Sequence, residues 1–122
     1  MSTVKLGTPR SELRTPVHNV IAAGVTSSEP AALYKIPAGS SIKIYPTSAG
    51  TAAVYSTSSN PDQVALDVAS GNAAILAGTN ANWDIWGAGA VTAKTIQSTQ
   101  LPITACALVV TSGTWTMEVV AP

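Results

Sequence analysis

One histidine, one cysteine and six carboxylates are all that this 122-residue chain offers to acid–base, nucleophilic or metal chemistry. His18 stands beside Asn19, and no Gly-x-Ser-x-Gly turn presents a serine to it, so no Ser-His-Asp arrangement is expected. Cys106 lies inside the apolar run Ile103-Thr104-Ala105-Cys106-Ala107-Leu108-Val109-Val110, with no basic neighbour to favour a thiolate. It reads as a small buried hydrophobe. Among the carboxylates only Asp62 and Asp67 are close in sequence, and nothing in the sequence marks them as buried or coupled. One His and one Cys do not make a zinc site. Asn80, Asn82 and Asp84 place oxygens at alternate positions, but the leading acid, turn glycine and trailing glutamate of an EF-hand loop are missing. Gly87-Ala88-Gly89 is half of a dinucleotide fingerprint and reads as a turn. No catalytic residue, metal or cofactor is expected.

Two other groups of residues are candidates for binding. Trp83, Trp86 and Trp115, with Tyr34, Tyr45 and Tyr55, are the aromatics, and Phe is absent. Stacked in the open they would hold a sugar; in a chain without Phe they must also fill the core. Trp83 and Trp86 are the candidate ligand or interface pair. The second group lies at the N-terminus. Residues 1–16 carry Lys5, Arg10, Glu12 and Arg14, with Pro9 and Pro16, for a local charge of +2. The prolines disfavour a continuous helix. The segment reads as an extended arm or a frayed end, and as an arm it would use Lys5, Arg10 and Arg14 as anchors. The remainder, 17–122, reads as one domain.

The composition narrows the class. Six basic and six acidic side chains cancel, and charged residues are only 10% of the chain. No nucleic-acid partner is expected from so neutral a surface. Ala, Thr and Ser number 20, 15 and 13, while Val and Ile together reach 20 against seven Leu. Cβ-branched residues fit a pleated sheet. A surface rich in Ala and Thr with no net charge favours association, so a docked chain or a homo-oligomer is expected. A single thiol excludes an intrachain disulfide. The uncharged stretch from Thr95 to Met117 holds Gln97, Gln100, Pro102, Gly113 and many hydroxyls, too polar for a membrane helix. No apolar run follows Lys5 as in a signal peptide, so a reducing cytosol is the expected site of synthesis.

Along the chain, short apolar alternations separated by turns predict an all-β fold: a compact antiparallel β-sandwich, jelly roll or small barrel. Strands are expected at Val17–Ala22, Ala32–Ile36, Ser41–Tyr45, Thr51–Ser56, Trp83–Trp86, Ala90–Ile96, Ile103–Val110 and Thr114–Val120. Pro46–Gly50 and Thr111–Gly113 read as hairpin turns. Residues Gln63–Ser70 fit either a strand or a short helix, and Ala73–Ala77 reads as a weak strand. Ile42, Ile44, Val54, Val109, Trp115, Met117 and Val119 are the expected core.

Two phrases carry a resemblance. Ile36-Pro37-Ala38-Gly39-Ser40-Ser41-Ile42-Lys43-Ile44-Tyr45 and Ser112-Gly113-Thr114-Trp115-Thr116-Met117-Glu118-Val119 resemble small virion proteins of tailed bacteriophages, most closely the head decoration, or cement, proteins. The resemblance implies a compact β protein without catalytic residues. It would be made in the host cytoplasm and bound through the major capsid protein to the outer surface of the capsid, as a homo-oligomer with a trimer favoured. Similar hairpin phrases occur in tail-fibre modules. The alternative is therefore a tail- or fibre-associated module that reads a host glycan.

Overall fold

The computed structural model describes residues 18–121. Eight strands and two helices follow the order β1 (His18–Val25), β2 (Ala31–Ile36), β3 (Ser41–Ser48), β4 (Ala52–Thr57), α1 (Pro61–Ser70), α2 (Asn72–Ala77), β5 (Asp84–Ile85), β6 (Thr95–Ser98), β7 (Ile103–Val110) and β8 (Thr114–Ala121). They form two antiparallel sheets of four strands, β1-β8-β3-β6 and β2-β7-β4-β5, packed as a sandwich. The strands of each sheet alternate, so one set of side chains fills the gap between the sheets. Ile42 and Ile44 of β3 and Trp115, Met117 and Val119 of β8 meet Val54, Cys106, Leu108 and Val110 there.

Six of the seven expected core residues lie in this central layer. Val109 is buried elsewhere. Its neighbours Leu108 and Val110 point between the sheets, so Val109 points to the outer face of the second sheet. There it packs with Ile75 of α2 and Ala107. This explains why β7 shows no alternation: helices cover its outer face, and every residue from Ala105 to Val110 is buried.

The helices resolve one open reading and correct another. Gln63–Ser70 belongs to a helix, and Ala73–Ala77 is helical instead of extended. The start signal is local. The Asn60 side chain accepts a hydrogen bond from Asp62 N at 2.8 Å, Pro61 occupies the first turn, and Asp62 adds a negative charge near the helix N-terminus. Gly78 ends α2 in the left-handed conformation, and its N–H bonds back to Ala74 and Ile75 carbonyls. Between Ala90 and Ile96, Val91 makes only an isolated bridge to Ala52, and the strand starts at Thr95.

Both expected hairpins are also corrected. β3 and β4 belong to different sheets, as do β7 and β8. The two connections cross from sheet to sheet at the same corner and bond to each other. Thr111 N and Ser112 N donate to the Thr51 carbonyl at 2.8 and 3.2 Å, and Thr51 N donates to the Ser112 carbonyl at 3.1 Å. The Trp115 indole N–H donates to that same Ser112 carbonyl at 3.2 Å. A turn satisfied by another turn needs no partner strand of its own.

In β2, Lys35 has φ +59°, in the left-handed region. The twist changes the facing, so Leu33 and Ile36, three residues apart, both reach the core while Tyr34 and Lys35 stay exposed. Such a residue is strained by about 1–3 kcal/mol.

Equilibrium unfolding in urea tests the corner. Trp115→Ala should cost about 3–5 kcal/mol, as expected for a fully buried tryptophan. Gly113 has φ +78°, and a Cβ there would lie 2.5 Å from the carbonyl oxygens of Ser48 and Ala49. Gly113→Ala should therefore cost about 3 kcal/mol or more. Gly89→Ala, at φ +68° with nothing within 4 Å, should cost only about 1 kcal/mol of backbone strain.

Candidate functional site

The buried carboxylate of Asp67 is the most elaborate polar site among the described residues. Asp67 follows Val64 by three positions in α1, so both side chains lie on the helix face turned toward the sheet. Its carboxylate is fully buried. It accepts hydrogen bonds from Ala81 N at 2.8 Å, Asn80 N at 3.0 Å, the Asn80 amide Nδ2 at 2.9 Å and the Trp83 indole N–H at 2.9 Å. Burial pushes the acid up, but the donors of Ala81, Trp83 and Asn80 outweigh it and hold the group below the ordinary carboxylate range. A carboxylate held ionised at neutral pH and bonded by Ala81, Asn80 and Trp83 is committed to structure. Its role is to tie the loop after α2 to α1, above Ala105 of β7.

The aromatic candidates are placed by this arrangement. Trp83 is half-buried. It packs against Val68 and the clusters around Val64 and Ile75, and its N–H is held by Asp67. Trp86 is 9% exposed, belongs to the core between the sheets, and donates its N–H to the Gly89 carbonyl at 2.9 Å. Its ring borders a cleft of about 360 Å³ with Ile42, Val54, Gln97 and Leu101. No ionisable side chain lines this cleft. The two indoles share no exposed stacking surface: one is fixed under the helices and the other closes the core.

The remaining candidates have no joint chemistry. Asn80 turns its amide N–H groups toward Asp67, Asn82 N bonds to the Ser59 hydroxyl, and Asp84 pairs with Ser56 in the sheet. No group of three or more His, Cys, Asp or Glu among the described residues is placed to hold a metal. Asp62 is exposed whereas Asp67 is buried, so they do not form a carboxylate pair. Cys106 is buried with its Sγ 4.0 Å from the Met117 Sδ, and burial pushes its thiol up to about 12. No described helix is long and apolar enough to cross a membrane. Lys5, Arg10 and Arg14 lie outside the described residues.

Surfaces, more than cavities, distinguish the molecule. The outer face of the second sheet is covered by α1 and α2, while no described helix covers that of the first sheet. Across it runs the register Ile21–Glu118–Lys43–Ile96. Lys43 Nζ and Glu118 Oε1 are 2.9 Å apart at the centre, and Lys43 also lies 5.6 Å from the Tyr45 ring centroid. The hydrogen bond and charge of Glu118 raise the Lys43 ammonium above its ordinary value. The pair neutralises itself and leaves exposed isoleucines at either end.

No family model, curated protein or solved structure matches the chain. The resemblance to phage decoration proteins therefore rests on its two sequence phrases. What the sequence reading missed was Asp67. The signal was present in Val64-Ala65-Leu66-Asp67-Val68-Ala69, a single charge at helical spacing within an apolar run.

Asp67 sets an acid dependence of stability. Its folded value lies below the unfolded one, so its contribution is full above the ordinary carboxylate range and is lost as pH falls through the depressed folded value. Asp67→Ala should cost about 3–5 kcal/mol at neutral pH, since Asn80, Ala81 and Trp83 lose their acceptor. In urea titrations the gap between wild type and Asp67→Asn should be widest at neutral pH and shrink below about pH 4.

Proposed function

We propose that the chain is a structural protein of a tailed-bacteriophage virion that binds the outer surface of the capsid, decorating and stabilising it. The observation that carries this reading joins its two phrases. Separated by most of the chain, they fall on β3 and β8, which are hydrogen-bonded neighbours in the first sheet. Ile42 pairs with Val119, Lys43 with Glu118 and Tyr45 with Thr116. The phrases thus lie side by side in one sheet, with Ile42 and Val119 facing the core and Lys43, Tyr45, Thr116 and Glu118 on the outer face. A charge-poor, neutral chain whose first sixteen residues carry a net +2 also suits a protein that spends its working life docked.

In this reading the partner is the major capsid protein, the site of action is the capsid exterior, and no reaction is catalysed. Lys5, Arg10 and Arg14 pair with acidic groups on the shell. Pro9 and Pro16 restrict the free segment, which lowers the entropy lost on docking.

Mixing the full chain with undecorated shells tests this. The wild-type chain should cosediment to saturation at a fixed number of copies per capsomer. Lys5→Glu, Arg10→Glu and Arg14→Glu together should keep the melting temperature and weaken binding at least about tenfold, with wild-type binding falling as salt rises. Undiminished decoration by the triple variant would remove the arm as the anchor. A few copies confined to the tail in images of the particle would replace the decoration reading with the glycan-binding one.

A further inference from the structure

Four strands stand at the edges of the two sheets: β1 and β6 in one, β2 and β5 in the other. An edge strand offers unpaired N–H and C=O groups to any other strand unless something blunts it. β5 has two residues and β6 four. β2 is interrupted by Lys35, whose left-handed backbone and charge both oppose pairing. Among the described residues, nothing of this kind protects β1 over His18–Ala22. It pairs there in regular register with Ala121–Met117, its bulge comes only after Ala22, and no proline or charged side chain occurs from Asn19 to Val25. Val20 and Ile21 are 49% and 52% exposed. Beside this edge, between the sheets, lies an apolar groove of about 290 Å³ bordered by Val20, Leu33, Tyr34, Ile36 and Val119, with Lys35 its one charged residue.

We propose that this side of the sandwich is a homodimer interface, in which β1 of two copies pairs antiparallel across a two-fold axis. The β1-β8-β3-β6 sheets of the two copies then become the halves of one continuous sheet. The occupant is a second copy because two-fold pairing sets a strand against itself, which requires that it carry no charge to repel its equal. β1 meets that condition. The arrangement also closes on itself, whereas β1 on β6 of the next copy would be head-to-tail and open-ended unless the rotation happened to close. β1 is about 27 Å long at ~3.4 Å per residue, and the side is two sheets, about 10 Å, deep. That buries about 270 Å² per copy, below the area of a stable specific interface, so the dimer is weak and reversible. The pair replaces the trimer that the family resemblance implies, and it stands whether or not the chain decorates a capsid.

Sedimentation velocity of the full chain alone, from about 5 to about 500 µM, tests the proposal. A monomer–dimer equilibrium is expected. Ile21→Lys should raise the dissociation constant at least about tenfold, since each copy brings a lysine to the shared edge. The variant should fold, because Ile21 is exposed and faces Glu118 across the ladder. Asn19→Lys on the same strand face is the second variant. Ile96→Lys, on the opposite edge at a site 57% exposed, should leave the equilibrium unchanged. Amides within His18–Ala22 should gain hydrogen-exchange protection as concentration rises. A monomer throughout, a trimer, or dissociation by Ile96→Lys but not by Ile21→Lys would overturn the proposal. So would protection of these amides that is independent of concentration.

Discussion

Burial of β7 on both faces is the constraint on which the rest of the molecule depends. The strand is central in its sheet and carries Cys106, Leu108 and Val110 on one side and Ala105, Ala107 and Val109 on the other. One sheet can cover only one side. The first sheet supplies that cover with Trp115, Met117 and Ile44. The opposite side requires a second layer, and the chain builds it from sixteen helical residues inserted between β4 and β5. Small residues on β7 let α1 and α2 approach closely, and Val64 and Ile75 fill what remains. The result is an asymmetric sandwich with one face covered and one bare.

Such short helices are marginal alone. α1 has ten residues and α2 six, and neither has a basic residue in its last turn to complement the dipole. Their cohesion comes from Asp67. A buried carboxylate is ordinarily a liability, because desolvation opposes its charge. Here Ala81, Asn80 and Trp83 supply enough N–H donors to reverse that balance. The loop after α2 is thereby ordered by a charge, and Trp83 becomes a strut beneath the helices. The tryptophan that was a candidate for ligand stacking is spent on structure, and the same holds for Trp86 in the core.

Among the described residues, the outer face of the first sheet and the edge of β1 are left uncovered. On the face, Lys43 and Glu118 cancel each other, so the surface neither attracts nor repels by net charge. At the edge, strain in β2 and the shortness of β5 and β6 leave β1 as the strand most open to pairing. A protein with so little surface charge depends on shape and backbone pairing for specificity, and those are properties of its sheets.

The β class, most of the strand positions and most of the central core were legible in the residues themselves. Ile42 and Ile44 alternate with polar neighbours, as do Trp115, Met117 and Val119, because one face of each strand meets water and the other does not. Alternation of that kind is a local record of a half-buried strand. It failed where burial was two-sided, in β7, and where the chain changed facing at Lys35. The helix start was written locally too, in Asn60-Pro61-Asp62, but the apolar spacing after it suited either structure. Which strands pair was not local at all. Thr111–Gly113 has the residues of a hairpin turn, yet it joins two sheets, because its hydrogen bonds are satisfied by Thr51 in a connection some sixty residues away. Likewise nothing near Asp67 in sequence reveals its donors, which come from residues 13 to 16 positions later. Side-chain periodicity marked the buried face of the half-buried strands; only the folded chain decided what those residues are buried against and which others join them.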